Sequence, residues 1–248
     1  MKFTLLNFDI VDSTNTEALK RAKLGADEGV CVIARQQTAG RGRYGRTWVS
    51  ERDAGLYFSI ILRPKIDTHD LPLITLMAGV AVHDTLQNFG VGPDIKWVND
   101  VLVNEKKIAG ILAETTETDQ GLAVVVGIGI NFTSAANFPA ELATVCTSLE
   151  DILPTPPRRD DLVEVLTRNI ESSYDLLRSC DGPAQIMENW TQRSSYGSGK
   201  VVRVVLENET VTGVTDGLEA NGALRVKRGN GSIAVIQAGD VERVRAAA

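Results

Sequence analysis

Two stretches of the chain carry apolar residues at intervals of three and four, the spacing that lines one face of an α-helix. In the first, residues 70–89, we predict that Asp70 caps the helix and that Gly90 ends it. In the second, residues 160–177, the two aspartates at the start are the predicted caps. Both helices are expected to pack an apolar face against a core.

Continuous apolar runs bounded by turn residues predict buried strands elsewhere. A shorter helix is predicted to begin at residues 12–15 and to end at Gly25. The polar side chains of residues 12–15 can satisfy the free N–H groups of its first turn. Gly127 and Gly129 alternate on one face of the last strand, and glycines inside an apolar strand often mark close approach of a ligand. That face is predicted to admit a flat ring. The predicted strands are residues 30–34, 55–63, 95–98, 101–103, 107–114 and 122–132.

The C-terminal part of the chain has a different pattern, with short β-rich segments separated by glycine-containing turns. We predict a small β-barrel there, which a Ser/Gly-rich linker joins to the rest. At 248 residues the chain is long enough for one full-sized core and a smaller second one. The predicted organisation is a domain over residues 1–193, a linker over 194–199 and a small domain over 200–248.

The chain is acidic overall but basic at one place. Its formal net charge is -6 and its isoelectric point about 5.1, which argues against a general nucleic-acid binder because such proteins carry a basic face. Residues 39–48 nevertheless contain three arginines and three glycines. Glycine backbones can approach a ligand closely and guanidinium groups can grip oxyanions, so this segment predicts a site for a small anion. Taken alone, it is equally compatible with a solvated basic turn or a nucleic-acid contact.

Cysteine and histidine usage disfavours other classes of protein. Cys31, Cys146 and Cys180 are odd in number and widely spaced, so we predict neither a disulfide framework nor a zinc site and expect them to pack. His69 and His83 have no ligand partner at metal spacing and are predicted to be structural or surface residues. No apolar run is long enough to span a bilayer, and an acidic residue comes too early for a secretory signal, so we expect a cytoplasmic protein.

Five short segments follow one another in an order that is more specific than any of them alone. They are Ser13-Thr14-Asn15, residues 37–48, Lys96-Trp97-Val98-Asn99-Asp100, residues 107–112 and Gly127-Ile128-Gly129-Ile130-Asn131. In this order they closely resemble the motifs of the biotin protein ligases, also called biotin-[acetyl-CoA-carboxylase] ligases. The resemblance runs from about residue 7 to the C-terminus, where residues 214–218 and 222–224 look like the family's SH3-like C-terminal domain. One departure is Val98, where the family usually has proline, and we expect it to change loop stiffness more than chemistry.

The resemblance implies an α+β fold, with a catalytic domain similar to the class II aminoacyl-tRNA synthetases, a mixed sheet with flanking helices, and a small SH3-like β-barrel. It also implies two steps: biotin and ATP give biotinyl-5'-adenylate and pyrophosphate, and biotin then passes to a lysine of a biotin carboxyl carrier domain of acetyl-CoA carboxylase or a related carboxylase. Mg²⁺ is the expected ion. Because the catalytic pattern begins almost at Met1, we expect a monofunctional ligase without an N-terminal DNA-binding domain, a monomer or homodimer that binds neither nucleic acid nor membrane.

The same match assigns candidate site residues. Lys107, Arg41 and Arg43 are the predicted catalytic residues, because fixed cations can offset the repulsion between the biotin carboxylate and the α-phosphate of ATP. Asp100 is expected either to hold Mg²⁺ or to orient Lys107. The predicted biotin-binding residues are Ser13, Thr14, Asn15, Gln37, Arg41, Gly42, Arg43, Trp48, Tyr57, Lys107, Gly110, Leu112, Gly127 and Gly129. The predicted ATP-binding and adenylate-binding residues are Arg41, Arg43, Arg46, Trp48, Asn99, Lys107 and Asn131.

Two alternative functions stay open at this point. A lipoate or octanoate ligase has a related architecture and a different acyl substrate, but residues 39–48 and 96–100 weigh against it. A non-catalytic sensor of biotin or biotinyl-adenylate is a binding protein rather than an enzyme, and the presence of Lys107 and Arg41 argues against it.

Overall fold

The residues that the structure describes fold into two β-sheets, with helices on both faces of the larger one. The structure, a computed structural model, describes residues 1–134, 138–206 and 209–243. Over these residues, no helix combines the length and the apolar character that a membrane crossing requires.

The larger sheet has seven strands: β1 (Thr4–Val11), β2 (Val30–Gln37), β3 (Gly55–Leu62), β4 (Asp94–Lys96), β5 (Asp100–Val103), β6 (Lys106–Thr118) and β7 (Gly121–Asn131). Their order across the sheet is β1-β2-β3-β7-β6-β5-β4. Strands β1 and β2 are parallel and all other neighbours are antiparallel, so the sheet is mixed. The fold is therefore the α+β class that the sequence predicted.

The helices are α1 (Thr14–Lys23), α2 (Leu73–Asn88), α3 (Ala140–Ala143), α4 (Leu149–Ile152), α5 (Arg159–Leu177) and α6 (Gly182–Gln192). Helix α2 packs between the sheet and the pair α5 and α6, and this face holds the main core. Helix α1 packs on the opposite face through Ala18 and Ala22, whose small side chains allow close approach to the strands. Because α1 covers only part of that face, the remainder is available for a site.

The smaller sheet has five strands, β8 (Ser198–Val205), β9 (Thr210–Leu218), β10 (Leu224–Arg228), β11 (Ile233–Ile236) and β12 (Asp240–Arg243), in the order β11-β10-β9-β8-β12. It contacts the larger unit directly, because Trp97 Nε1 donates a hydrogen bond to the carbonyl oxygen of Gly222 at 2.9 Å. The segment before β8 is also attached, since Ser194 Oγ donates to the Ile95 carbonyl oxygen at 2.6 Å and Tyr196 is buried.

Two predicted helix caps are corrected by the structure. Asp70 lies in a 3-10 turn, Thr68–Asp70, and α2 begins only at Leu73, after Pro72. Proline suits the start of α2 because its fixed φ is compatible with a helix. Its missing N–H also costs no hydrogen bond, since the first N–H groups of a helix have no partner within the helix. The two aspartates expected to cap α5 lie inside its first turn instead, where their negative charge is favoured by the helix dipole.

Four elements and one side chain were not foreseen: strand β1, helices α3, α4 and α6, and Cys180. Strand β1 lies at the edge of the sheet, half exposed and without a clear alternation of apolar residues. Helix α6 begins with Gly182 and Pro183, and proline in a first turn was a signal for it. The cysteines were expected to pack in the interior. Cys31 is buried, as expected, whereas Cys180 is exposed.

Candidate active site

Cross-strand pairing brings the predicted site residues onto one face of the larger sheet. Tyr57 of β3 pairs with Gly129 of β7, which pairs with Gly110 of β6, and Gly110 pairs with Asp100 of β5. Directly opposed residues of neighbouring strands share a face, so these four form one row across the sheet. The adjacent row holds Ser59, Gly127 and Leu112.

A cavity of about 580 Å³ lies over these rows. Every residue that the sequence predicted for catalysis, for ligand binding or for a metal lines it, and their roles toward ligands remain predictions. They are Ser13, Thr14, Asn15, Gln37, Arg41, Gly42, Arg43, Arg46, Trp48, Tyr57, Asn99, Asp100, Lys107, Gly110, Leu112, Gly127, Gly129 and Asn131.

The start of helix α1 brings a hydrogen-bonded polar cluster to one end of the cavity. Gln37 Oε1 accepts a bond from the backbone N–H of Thr14 at 2.8 Å and another from its hydroxyl at 3.1 Å. The buried hydroxyl of Ser59 lies 2.6 Å from Asn15 Oδ1 and 2.8 Å from Thr14 Oγ1. Ser13 is the N-cap of α1 but makes no side-chain cap bond. These polar side chains therefore line the cavity rather than cap the helix, contrary to the simplest interpretation of the sequence.

The glycines of β6 and β7 make room for side chains of the protein itself. A Cβ atom at Gly127 would lie 2.1 Å from Asn15 Oδ1, and one at Gly129 would lie 2.5 Å from the indole of Trp48. The space on this face where a ligand's flat ring was expected is filled by the indole of Trp48, which also lies against Gly110. The indole Nε1 is buried and makes no hydrogen bond within the described part of the chain.

The three arginines of residues 39–48 point to three different partners. The base of the loop is closed by a hydrogen bond of 2.7 Å from the backbone N–H of Gly42 to the carbonyl oxygen of Arg46. Each guanidinium group is hydrogen-bonded to a different side chain. Their partners are Glu114 for Arg41 at 2.5 Å, Asn99 for Arg43 at 3.1 Å, and Asp240 of the smaller sheet for Arg46.

Lys107 is held at the other end of the cavity by Asp100. Its Nζ lies 2.6 Å from Asp100 Oδ1, and Lys96 Nζ lies 3.6 Å from Oδ2 of the same carboxylate. Burial by itself raises the pKa of Asp100, but the two ammonium groups outweigh it and hold that pKa below its ordinary value. Lys107 Nζ also lies 5.3 Å from the centre of the Trp48 ring, within reach of a cation–π contact.

The surroundings of Asp100 do not fit a metal ion. Among the residues that the structure describes, no group of three His, Cys, Asp or Glu side chains could hold a metal. Each carboxylate oxygen of Asp100 faces an ammonium group, and these would repel a divalent cation. Asp100 was expected either to hold Mg²⁺ or to orient Lys107, and the geometry favours the second role.

Asn131 and Asn99 also support the backbone around the cavity. Asn131 Nδ2 donates to the carbonyl oxygens of Lys107 at 3.2 Å and Thr147 at 2.9 Å, so a contact with adenine would use its Oδ1. Asn99 Nδ2 donates to the carbonyl oxygen of Ile111 at 3.0 Å. Both side chains therefore fix the strands that carry the catalytic candidates.

Several cavity residues were missed by the sequence analysis because they come from distant segments without a local signal. The backbone N–H of Lys107 donates to the Val145 carbonyl oxygen at 2.9 Å, which brings the segment around α3 against this lysine. Lys96 also lines the cavity, and its place in the motif of residues 96–100 was a signal that could have identified it. Burial raises the pKa of the Cys146 thiol, so it stays protonated near neutral pH. The missed residues include Phe138, Leu142, Val145, Cys146, Tyr196, Asp240 and Glu242.

Comparison with known proteins agrees with this arrangement. Residues 7–131 match the Biotin/lipoate A/B protein ligase family, and residues 197–244 match the Biotin protein ligase C terminal domain. The bifunctional ligase/repressor BirA of Bacillus subtilis is 36% identical over 242 residues, which cover 96% of this chain and 73% of that protein. The biotin--[acetyl-CoA-carboxylase] ligase of Mycobacterium tuberculosis is 36% identical over 244 residues, which cover 94% of this chain and 86% of that protein.

A solved structure extends the likeness to the fold. The biotin protein ligase from Aquifex aeolicus in complex with biotin and ATP superposes with a TM-score of 0.85 at 27% identity, covering 97% of this chain and 99% of that one. The family match, the named relatives and the shared fold lead to one conclusion: the chain belongs to the biotin protein ligases of the biotin/lipoate A/B protein ligase family.

Proposed function

We propose that this protein joins biotin to ATP, giving biotinyl-5'-adenylate and pyrophosphate, and transfers the biotinyl group to a lysine of a carboxylase's biotin carrier domain. The observation that carries the proposal is a single cavity with two chemically different regions. A cluster of amide and hydroxyl groups suits the ureido ring of biotin at one end. Lys107 and the arginines of residues 39–48 line the rest of the cavity and supply positive charge for carboxylate and phosphate. Among them, Arg41 lies next to the polar cluster, because it shares Glu114 Oε2 with Asn15.

In the first step, a carboxylate oxygen of biotin attacks the α-phosphorus of ATP and the bond to pyrophosphate breaks. Two anions approach each other and negative charge builds on the phosphoryl oxygens, so fixed cations lower the barrier. Lys107, oriented by Asp100, supplies one such cation, and Arg41 and Arg43 complete the set.

In the second step, the amine of the acceptor lysine attacks the acyl carbon of the adenylate and the bond to AMP breaks. The amine loses a proton and AMP leaves with the bonding electrons. Trp48 and the glycine-lined floor exclude water from the acyl group, which protects the adenylate from hydrolysis before the carrier arrives.

Mg²⁺ enters the proposal as the ion that accompanies ATP. The ammonium partners of Asp100 argue against a metal held by protein carboxylates alone, and Mg²⁺ in nucleotide sites commonly binds the substrate phosphates.

The finer features of the fold are also part of the proposal. The larger unit, residues 1–193, is a class II aminoacyl-tRNA synthetase-like domain, residues 194–199 are a linker, and residues 200–248 form an SH3-like domain. The family match to residues 197–244 supports the last of these. We propose a monomer or homodimer that does not bind nucleic acid and acts in the cytoplasm, in line with three unpaired cysteines.

The experiment that tests the function supplies the protein with biotin, ATP, Mg²⁺ and a biotin carrier domain. The expected result is pyrophosphate release and a gain in carrier mass of one biotin. Lipoate or octanoate incorporation in place of biotin would indicate the related ligase, and biotin binding without pyrophosphate release would indicate a sensor.

A further inference from the structure

Glu114 connects two candidate ligand-binding residues that lie far apart in sequence. Its Oε2 accepts a hydrogen bond of 2.5 Å from Arg41 Nη2 and another of 2.9 Å from Asn15 Nδ2. Asn15 Nδ2 also donates to the Leu112 carbonyl oxygen at 3.1 Å, and Ser59 Oγ lies 2.6 Å from Asn15 Oδ1. One carboxylate oxygen thereby joins the polar end of the cavity to the Gly/Arg segment.

The position of Glu114 separates it from the ligand space. It follows Leu112 by two residues in β6, so both side chains lie on the site face of the sheet. Arg41 and Leu112 line the main cavity and also a second space bordered by the Gly/Arg segment, whereas Glu114 lines only the second space. The carboxylate therefore acts on the main cavity through the side chains that it holds.

A carboxylate beside an anion site would weaken ligand binding if its charge reached the ligand. Here the charge is compensated by Arg41, and the Glu114 side chain is only 27% exposed. A charge-assisted hydrogen bond of this kind fixes a guanidinium group more firmly than a neutral one. Holding Arg41 and Asn15 in place before the ligand arrives reduces the ordering that binding would otherwise require.

We propose that Glu114 is a positioning residue that sets Arg41 and Asn15 as one unit, so that recognition of the biotin ring is coupled to activation of its carboxylate. The inference rests on the proposed function, because it takes Arg41 and Asn15 to contact biotin or its adenylate. Glu114 itself does not touch the ligand.

The test measures kcat and KM for biotin in pyrophosphate release by the full-length protein, together with its unfolding midpoint. Glu114→Gln keeps the size of the side chain and removes the charge, and we expect kcat/KM to fall about tenfold or more, the loss of one charged hydrogen bond. Glu114→Asp keeps the charge at a shorter reach and is expected to retain more activity than Glu114→Gln. Glu117→Gln, an exposed position on the same strand, is the matched control and is expected to stay within about twofold.

A double-mutant cycle with Arg41→Ala distinguishes positioning from a general structural role. The double variant is expected to lose less than the product of the two single losses, because Glu114 acts partly through Arg41. Wild-type activity in Glu114→Gln, or strictly multiplicative losses, would overturn the inference. If Glu114→Gln is unfolded at the assay temperature, Glu114→Asp is used as the test instead. A kcat/KM of Glu114→Asp equal to that of the wild-type protein would then overturn the inference. If the wild-type protein releases no pyrophosphate with biotin and ATP, the proposed function itself fails.

Discussion

At the scale of single residues, the proposed chemistry depends most on the ammonium group of Lys107. We expect Lys107→Ala to lower the rate of adenylate formation about 100-fold or more, because it removes a fixed charge from the site where negative charge develops. The fold should be retained, since this side chain lies at the cavity and not in the core, although loss of the pair with Asp100 should lower the free energy of unfolding. Pyrophosphate release at saturating substrates measures the effect.

Lys106→Ala is the control for that experiment, because Lys106 is the exposed neighbour on the same strand. It removes the same charge from the protein without touching the cavity. Equal rates in the two alanine variants would contradict the assignment of Lys107.

The Asp100 carboxylate gives a prediction about pH. Its pKa is lowered in the folded protein, so its stabilising pairs with Lys107 and Lys96 are fully present above the unfolded pKa of about 4 and are lost as pH falls through the lower, folded pKa. We expect Asp100→Asn to reduce the free energy of unfolding by roughly 1.5–3 kcal/mol, the value of a hydrogen bond to a charged group. That difference should be constant from about pH 5 to 8 and shrink below about pH 4.

Urea unfolding of both proteins across this pH range is the measurement. Asp119→Asn, in the exposed turn between β6 and β7, is the control and should show no such dependence. The difference in free energy of unfolding between wild type and Asp100→Asn could instead disappear as the pH rises. That result would mean that the pKa of Asp100 is raised in the folded protein and not lowered.

At the scale of secondary structure elements, the glycines of β7 determine what can lie on the sheet. We expect Gly127→Ala to weaken biotin binding about tenfold, because the new methyl group would displace Asn15 and break at least one of its hydrogen bonds. Asn15 has little freedom to move aside, since Leu112, Glu114 and Ser59 all hold its amide group. Overpacking should also lower the free energy of unfolding by about 1–3 kcal/mol.

Calorimetric titration with biotin measures this effect, and Gly92→Ala is the control. A Cβ atom at Gly92 meets nothing within 4 Å, so this substitution should leave biotin affinity unchanged. Unchanged affinity in Gly127→Ala would show that the polar cluster is not part of the biotin site.

At the scale of the whole molecule, the smaller sheet is joined to the larger one by specific contacts. Trp97 donates to the Gly222 carbonyl oxygen, and Arg46 of the Gly/Arg segment pairs with Asp240. We expect a chain that ends at residue 193 to keep measurable biotin binding and to lose carrier biotinylation. It should also be less stable than a chain that ends at residue 197, because it lacks the buried Tyr196 and the hydrogen bond from Ser194.

Biotin calorimetry, carrier biotinylation and thermal unfolding by circular dichroism compare the two shortened chains with the full one. Full biotinylation by either shortened chain would show that the smaller sheet is dispensable. Equal stability of the two would place the domain boundary at residue 193, as the sequence predicts.

Much of the site was accessible from sequence because each motif is short and its spacing is local. Helix α1, strands β2 to β7 and the Gly/Arg segment all follow from periodicity and turn residues within a few positions. The order of five such motifs identified the family, which the comparisons confirm. The α+β class and many, though not all, of the cavity residues followed from them.

Which of these side chains come into contact depends on how the whole chain packs. Arg41 reaches Glu114 across 73 positions and Arg46 reaches Asp240 across 194, and no local pattern encodes such pairs. Edge strand β1 and the residues after β7 that line the cavity are defined by pairing with distant segments. The physical reason is that periodicity reports which face of an element is buried, whereas pairing, register and packing of the whole chain select the partner that the face meets.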